Sequence, residues 1–208
     1  MKYTDYIWDF DGMLFDSYPH ITEAFMQAYK RLHNEDIDRR QCYDLFKASF
    51  HTAYEYYKPT AACKLLFRAI ESDTTLSPQA RPFPGIGEIL QKICENGGRN
   101  FINTHRDSLA LVYLAQYDLL QYFTDAVTSE LNSIPSKPAP DTNLYLMEKY
   151  SLNPAATVML GDRDVDIAAG AGAGMITCLF DQFKNSDHIV CDYRVYDTRD
   201  LCATLGIE

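Results

Sequence analysis

From residue 86 onward the chain alternates between segments of helical period and short apolar runs, and few folds accept that alternation. Ile86 to Glu95 reads as a helix closed by Asn96-Gly97-Gly98, and Asn100-Phe101-Ile102-Asn103 reads as a strand. A helix over 108–117, a strand over 125–128, a helix over 141–150, a strand over 157–160, a helix over 164–170 and a strand over 175–179 follow. Between Cys191 and Glu208 there is room for one more short strand and a terminal helix. Residues 2 to 9 supply a first strand. Parallel strands need a long crossover between them, and a helix supplies it. The expected fold is therefore α/β, a Rossmann-like doubly wound parallel sheet with helices on both faces.

One block interrupts this scheme. From residue 17 to 77 the pattern is helical throughout, with Ile21, Ala24, Phe25, Ala28, Tyr29 and Leu32 recurring at helical spacing. Further helices are expected over 39–48, 52–57 and 60–72, with Lys58-Pro59 marking a break. Arg81-Pro82-Phe83-Pro84-Gly85 holds too much proline for a regular element and reads as a return linker. Residues 1–16 with 78–208 are thus expected to form an α/β core domain, and 17–77 an inserted α-helical cap.

In an open parallel sheet, ligands bind beyond the carboxyl ends of the strands, so the residues that follow each apolar run carry the functional information. After the first strand come Asp9 and Asp11, which strand alternation would point the same way while Phe10 turns back to the core. Two close carboxylates invite a divalent cation or a shared proton; as an isolated pair they would more simply be solvated surface acids. Thr104 ends the next strand, where its hydroxyl and the following amides suit a phosphoryl oxygen, or where it caps a helix beginning near Asp107. Lys137 lies in Ser136-Lys137-Pro138-Ala139-Pro140-Asp141, braced by two prolines; it either offsets negative charge in a site or is a solvated loop lysine. Gly161-Asp162-Arg163-Asp164-Val165-Asp166 follows the 157–160 strand. Asp162 and Asp166 fall on one helix face and Asp164 points elsewhere. Complementing the helix dipole explains one such acid better than three.

The formal net charge of −10 over 208 residues, with no long basic run, argues against nucleic acid and anionic membranes as partners. No stretch is apolar enough to span a bilayer. The six cysteines show neither a CxxC pair nor zinc-ligand spacing, and read as small hydrophobes in a reducing, cytoplasmic setting.

With these elements in this order the chain resembles the haloacid dehalogenase-like (HAD) superfamily of phosphohydrolases. The resemblance covers the whole chain, and the inserted block is similar to the small helical cap of the phosphoglycolate phosphatase and β-phosphoglucomutase branch. Asp9-Phe10-Asp11-Gly12 through Ser17 matches the family's first motif and flap, Thr104 the second motif, Lys137-Pro138 the third, and Gly161-Asp162 with Asp166 the fourth. The resemblance implies Mg2+-dependent hydrolysis of a small phosphorylated metabolite through an aspartyl phosphate. Asp9 would be the nucleophile, and Asp11 the acid that protonates the leaving oxygen and then the base that activates water. Thr104 and Lys137 would hold the transferring group. The metal would take the Asp9 carboxylate, the Asp11 backbone carbonyl and Asp162, with Asp166 as ligand or support. His105 and Arg163 depart from the commonest pattern of the second and fourth motifs and are placed to alter phosphate contacts. The cap carries no arginine motif of the phosphoglycolate phosphatase type. His20 and His51 are candidates there to reach the substrate, with packed or surface roles as the plainer reading.

A phosphomutase of the β-phosphoglucomutase type would use the same core residues and differ only in the acceptor. Dehalogenation needs neither Asp11 nor Asp162. Phosphonate hydrolysis needs a marked cap lysine, and Lys47, Lys58 and Lys64 are unmarked. A non-catalytic phosphate-binding protein would be expected to have lost the nucleophile or a metal acid. Monomer and homodimer remain equally compatible with the sequence.

Overall fold

The protein is described by a computed structural model covering residues 1–73 and 80–207; the expected end of the helical block at residues 74–77, and its boundary with 78, lie outside the described residues. Two compact units are present, Met1–Phe15 with Pro82–Glu208 and Asp16–Arg81. In chain order the elements are β1 (Asp5–Trp8), β2 (Phe15–Asp16), α1 (Tyr18–His33), α2 (Arg39–Ala48), α3 (Phe50–Tyr57), α4 (Ala61–Glu71), β3 (Arg81–Pro82), α5 (Ile86–Glu95), β4 (Arg99–Asn103), α6 (Leu109–Gln116), β5 (Phe123–Val127), α7 (Asp141–Tyr150), β6 (Thr157–Gly161), α8 (Asp164–Gly172), β7 (Ile176–Phe180), β8 (Tyr193–Val195) and α9 (Leu201–Leu205).

In the first unit six strands pair in the order β5-β4-β1-β6-β7-β8, all parallel. The expected α/β architecture is the one found. From β1 the chain builds outward through β4 and β5, then crosses back to lay β6 on the other side of β1. That reversal makes the carboxyl end of β1 a topological switch point, the place where open α/β sheets bind ligands. Strand alternation sends Ile7 into a buried cluster with Phe101, Val127, Leu146, Met159 and Met175. Its neighbours Tyr6 and Trp8 pack on the opposite face, where the Trp8 indole N–H donates to Asn100 Oδ1 at 3.0 Å.

The second unit is helical because its apolar residues recur at helical spacing around Phe25, which packs against Tyr29, Phe46, Tyr57 and Phe67. Side chains of Asp38, Ser49 and Thr60 accept from the first-turn amides of α2, α3 and α4, fixing where each begins. Because Ser49 is the cap, α3 starts at Phe50 and not at 52.

The proline-rich return differs from expectation. Arg81–Pro82 is a two-residue strand paired with β2. Proline is tolerated there because so short an edge strand asks for few ladder donors.

Candidate active site

Three strand ends and one loop converge within the α/β unit. Asp9 directly follows β1, and its N–H donates to Leu160 O at 2.8 Å, extending the ladder by one residue and fixing the side chain above it. Thr104 follows β4, held by its own N–H on Val127 O at 2.9 Å. Asp162 follows β6. All three are buried.

Lys137 arrives from the loop before α7. That helix is fastened at its start by Asn103, whose amide donates to Thr142 Oγ1 at 2.9 Å and Asn143 Oδ1 at 2.7 Å. Of the two roles open to Lys137, the structure shows the buried one. Its Nζ is 2.6 Å from Asp9 Oδ1 and 2.6 Å from Asp166 Oδ1. Burial acts to lower the lysine's pKa, but Asp166 and Asp9 outweigh it and hold the ammonium charged. Burial pushes the Asp9 carboxyl up to about 6; Lys137 opposes this, Asp166 reinforces it, and Arg163 opposes it again.

Asp166 serves two masters. Oδ1 meets Lys137, and Oδ2 accepts from the Arg163 N–H at 3.1 Å to cap α8. It comes this close to β6 because residue 161 is glycine: a Cβ there would lie 2.2 Å from Asp166 Cβ and 2.5 Å from its Oδ2. Gly161→Ala is therefore expected to push Asp166 off both partners and to cost about 1–3 kcal/mol of stability, as overpacking does, with loss of turnover. Urea melts beside an activity assay check this, and unchanged values in both would contradict the reading. Asp164 is exposed and caps only its own turn, donated to by Val165 N–H at 2.8 Å.

One carboxylate oxygen from each of Asp9, Asp162 and Asp166 lies within 4.8 Å of the others. Lys137 pairs with two of these carboxylates, Asp9 and Asp166, and Asp162 is the third acid of the same buried group, so the acids outnumber the ammonium. Asp9 Oδ2 is buried without a hydrogen-bond partner, a state that costs free energy unless something binds it. Buried hard oxygens with surplus negative charge fit a divalent cation of the magnesium or calcium kind.

Asp11 does not sit in this trio. Regular strand ends at Trp8, and Asp11 lies beyond it among turn residues, held by an isolated bridge to Phe15. Its carboxylate meets Arg106, whose Nε is 3.0 Å from both oxygens and whose Nη2 is 2.8 Å from Oδ1. The expected Asp11 contact to metal used its backbone carbonyl, which this placement of the side chain leaves untouched.

His105 stands beside Lys137 rather than over Asp9. Its Nε2 is 2.9 Å from the Lys137 carbonyl and its Nδ1 3.4 Å from Arg163 Nη2. The ring therefore donates through Nε2 and accepts through Nδ1 as a neutral imidazole. Partial burial, then Lys137 and Arg163, lower its pKa to about 4, and its exposed edge leaves that direction intact. His20 is buried in the helical unit with Nε2 2.9 Å from the Glu71 carbonyl.

Sequence reasoning passed over two residues. Asn103 anchors α7 through side chains 39 and 40 positions away. Arg106 was signalled only indirectly, by the need of a half-buried acid such as Asp11 for a counter-charge.

A parallel sheet carrying buried acids and a lysine beyond the end of β1 defines an α/β protein with a charged centre at its strand ends. The haloacid dehalogenase-like hydrolase family matches residues 6–180, and the chain belongs to that family. Among solved structures it is similar to a hydrolase from Streptococcus pneumoniae TIGR4, at 34% identity over 86% of this chain and 94% of that one, with a TM-score of 0.64. YfnB from Bacillus subtilis, solved bound to magnesium, shares the fold at 18% identity, full coverage of both chains and a TM-score of 0.78. A phosphoglycolate phosphatase of Vibrio vulnificus is 27% identical over 192 residues, 80% of this chain and 78% of its own. An uncharacterized hydrolase of Saccharomyces cerevisiae is 26% identical over 119 residues, and the match spans about half of that protein, 53%.

Proposed function

We propose that the protein is a Mg2+-dependent phosphatase that hydrolyses a small phosphorylated metabolite through a phosphoaspartyl intermediate on Asp9. The observation that carries this reading is the buried Asp9, held by Lys137 at 2.6 Å and grouped with Asp162 and Asp166 at the strand ends. The V. vulnificus relative points to phosphoglycolate as the first substrate to try, and magnesium in YfnB supports the choice of ion. Asp9, Asp162 and Asp166 would hold the magnesium, with the Asp11 carbonyl completing the set; when bound, it would neutralise charge on the phosphoryl oxygens.

An Asp9 oxygen attacks phosphorus, forming the Asp–O–P bond as the ester P–O bond breaks. Asp11 enters this step protonated and gives that proton to the leaving oxygen, becoming the carboxylate. Water then attacks phosphorus, Asp11 takes its proton, and the Asp–O–P bond breaks to release phosphate and regenerate Asp9. Lys137 keeps the reacting oxygens and Asp9 in line and offsets their charge. The Thr104 hydroxyl accepts from the Arg106 N–H at 3.1 Å, which leaves its own proton to donate to a phosphoryl oxygen. His105 holds the Lys137 backbone, and Arg163 brings positive charge to bear on Asp9. No helix among the described residues is long and apolar enough to cross a membrane, and the free thiols at all six cysteines support a cytoplasmic enzyme.

The test is a turnover screen of p-nitrophenyl phosphate, phosphoglycolate, sugar phosphates and nucleotides, with magnesium and with EDTA. Release of phosphate is expected with magnesium and is expected to fall to background with EDTA. Activity indifferent to the ion, or none across the panel, would overturn the proposal.

A further inference from the structure

Arg106 is the charged residue of the centre to which the reaction above gives no task. Its side chain is 2% exposed, so little of the guanidinium meets water. A guanidinium so placed is costly unless its charge and its N–H groups are met. Here Nε and Nη2 form a fork on the Asp11 carboxylate at 2.8–3.0 Å, and the guanidinium carbon lies 5.6 Å from the centre of the Phe10 ring. The backbone is tied as well, through its N–H to Thr104 Oγ1 at 3.1 Å and its carbonyl to the Ser129 N–H at 2.9 Å. Ring, carboxylate and both backbone groups therefore hold Arg106 in one pose.

Asp11 lacks comparable support from the sheet. It lies past the end of β1 in a turning segment, with a single isolated bridge to Phe15. A carboxylate that passes protons must be aimed to within a fraction of an ångström, and side chains on turns are aimed less well than those on strands. The planar fork supplies direction as well as charge, which a lysine's point charge would not.

We propose that Arg106 is a positioning residue that aims the Asp11 carboxylate at the leaving oxygen, and that it is not itself a ligand of the phosphoryl group. The inference rests on the acid–base role given to Asp11 above. It also accounts for why the Thr104 loop and the Asp11 turn belong to one assembly: Arg106 bonds to both.

The test compares wild type, R106M, R106K, D11N and D11N/R106M, each with magnesium, on two substrates. One is p-nitrophenyl phosphate, whose phenolate departs without a proton; the other is phosphoglycolate, or the fastest alkyl phosphate of the panel. R106M is expected to lower kcat/KM for the alkyl ester about 10–100-fold, as loss of acid catalysis does, and for the aryl ester less than about threefold. R106K is expected to recover part of the loss. In the D11N background R106M is expected to cost less than about twofold, because the residue it aims is already disabled. Equal losses on both substrates, or a full further loss in the D11N background, would overturn the proposal, as would a raised KM at unchanged kcat, which would make Arg106 a substrate ligand. If R106M does not fold, R106K carries the same comparison. A crystal structure of either variant gives a readout independent of turnover: Asp11 should leave its position, and an unmoved carboxylate overturns the proposal. Inactivity of the wild type would count against the phosphatase reading, while that structure would still decide the role of Arg106.

Discussion

Asp9→Asn is expected to reduce turnover by about 10^4-fold or more while leaving the protein folded. On the proposed mechanism Asp9 is the nucleophile, so its loss would remove the covalent route and leave a residual rate from binding and the remaining charges. The amide keeps an oxygen able to accept from Lys137, which also retains its 2.6 Å contact to Asp166. The substitution removes one of three close buried carboxylates, so the melting temperature should hold or rise. Rapid acid quench with labelled substrate should show a phosphorylated wild-type protein and an unlabelled variant. Turnover within tenfold of wild type, or label retained by the variant, would remove Asp9 from the role of nucleophile.

The parts of the fold that could be read from the sequence were those specified locally. The bounds expected for α2 and α7, 39–48 and 141–150, are those found, because Asp38 and Pro140 mark the starts and Ser49 and Ser151 stand where the helices stop. Lys137 stood out for the same reason, since two prolines in its own hexapeptide implied a braced backbone. Arg106 gave no such sign. Its partner Asp11 lies 95 positions away, and only the pairing of β1 with β4 brings the two together. The closeness of Asp166 to β6 likewise depends on a missing side chain at Gly161, an absence that a sequence does not distinguish from any other glycine. The alternation argument for Asp9 and Asp11 applies only while the backbone stays extended, and regular strand ends at Trp8, with Asp11 held beyond it by an isolated bridge to Phe15.

Lys137→Ala is expected to damage stability and turnover together, and its effect should depend on pH and metal. Removing one partner of a buried ion pair strands the other charge, at a cost of about 3–5 kcal/mol. Here two partners are stranded, Asp9 and Asp166, with Asp162 beside them. Even with the lysine present, Asp9 is raised from 3.8 to about 6. An acid with a raised folded pKa stays protonated in the fold while the unfolded chain ionises. In the metal-free protein the contribution of Asp9 to stability therefore falls as pH climbs from about 4 through 6. Without Lys137 the folded pKa moves higher still, so the decline should continue past pH 7. Urea melts in EDTA should show the variant's deficit to be largest near pH 8 and smaller near pH 5, where protonation relieves the crowding. On the proposed metal site magnesium would replace the missing positive charge and should recover part of the deficit at pH 8, because it would bind the folded cluster and not the dispersed carboxylates. Turnover should stay low even then, since the ion cannot also take the lysine's place beside the reacting oxygens. A deficit that is flat with pH and indifferent to magnesium would mean that Lys137 contributes packing alone, and that the carboxylates around it do not share one electrostatic site.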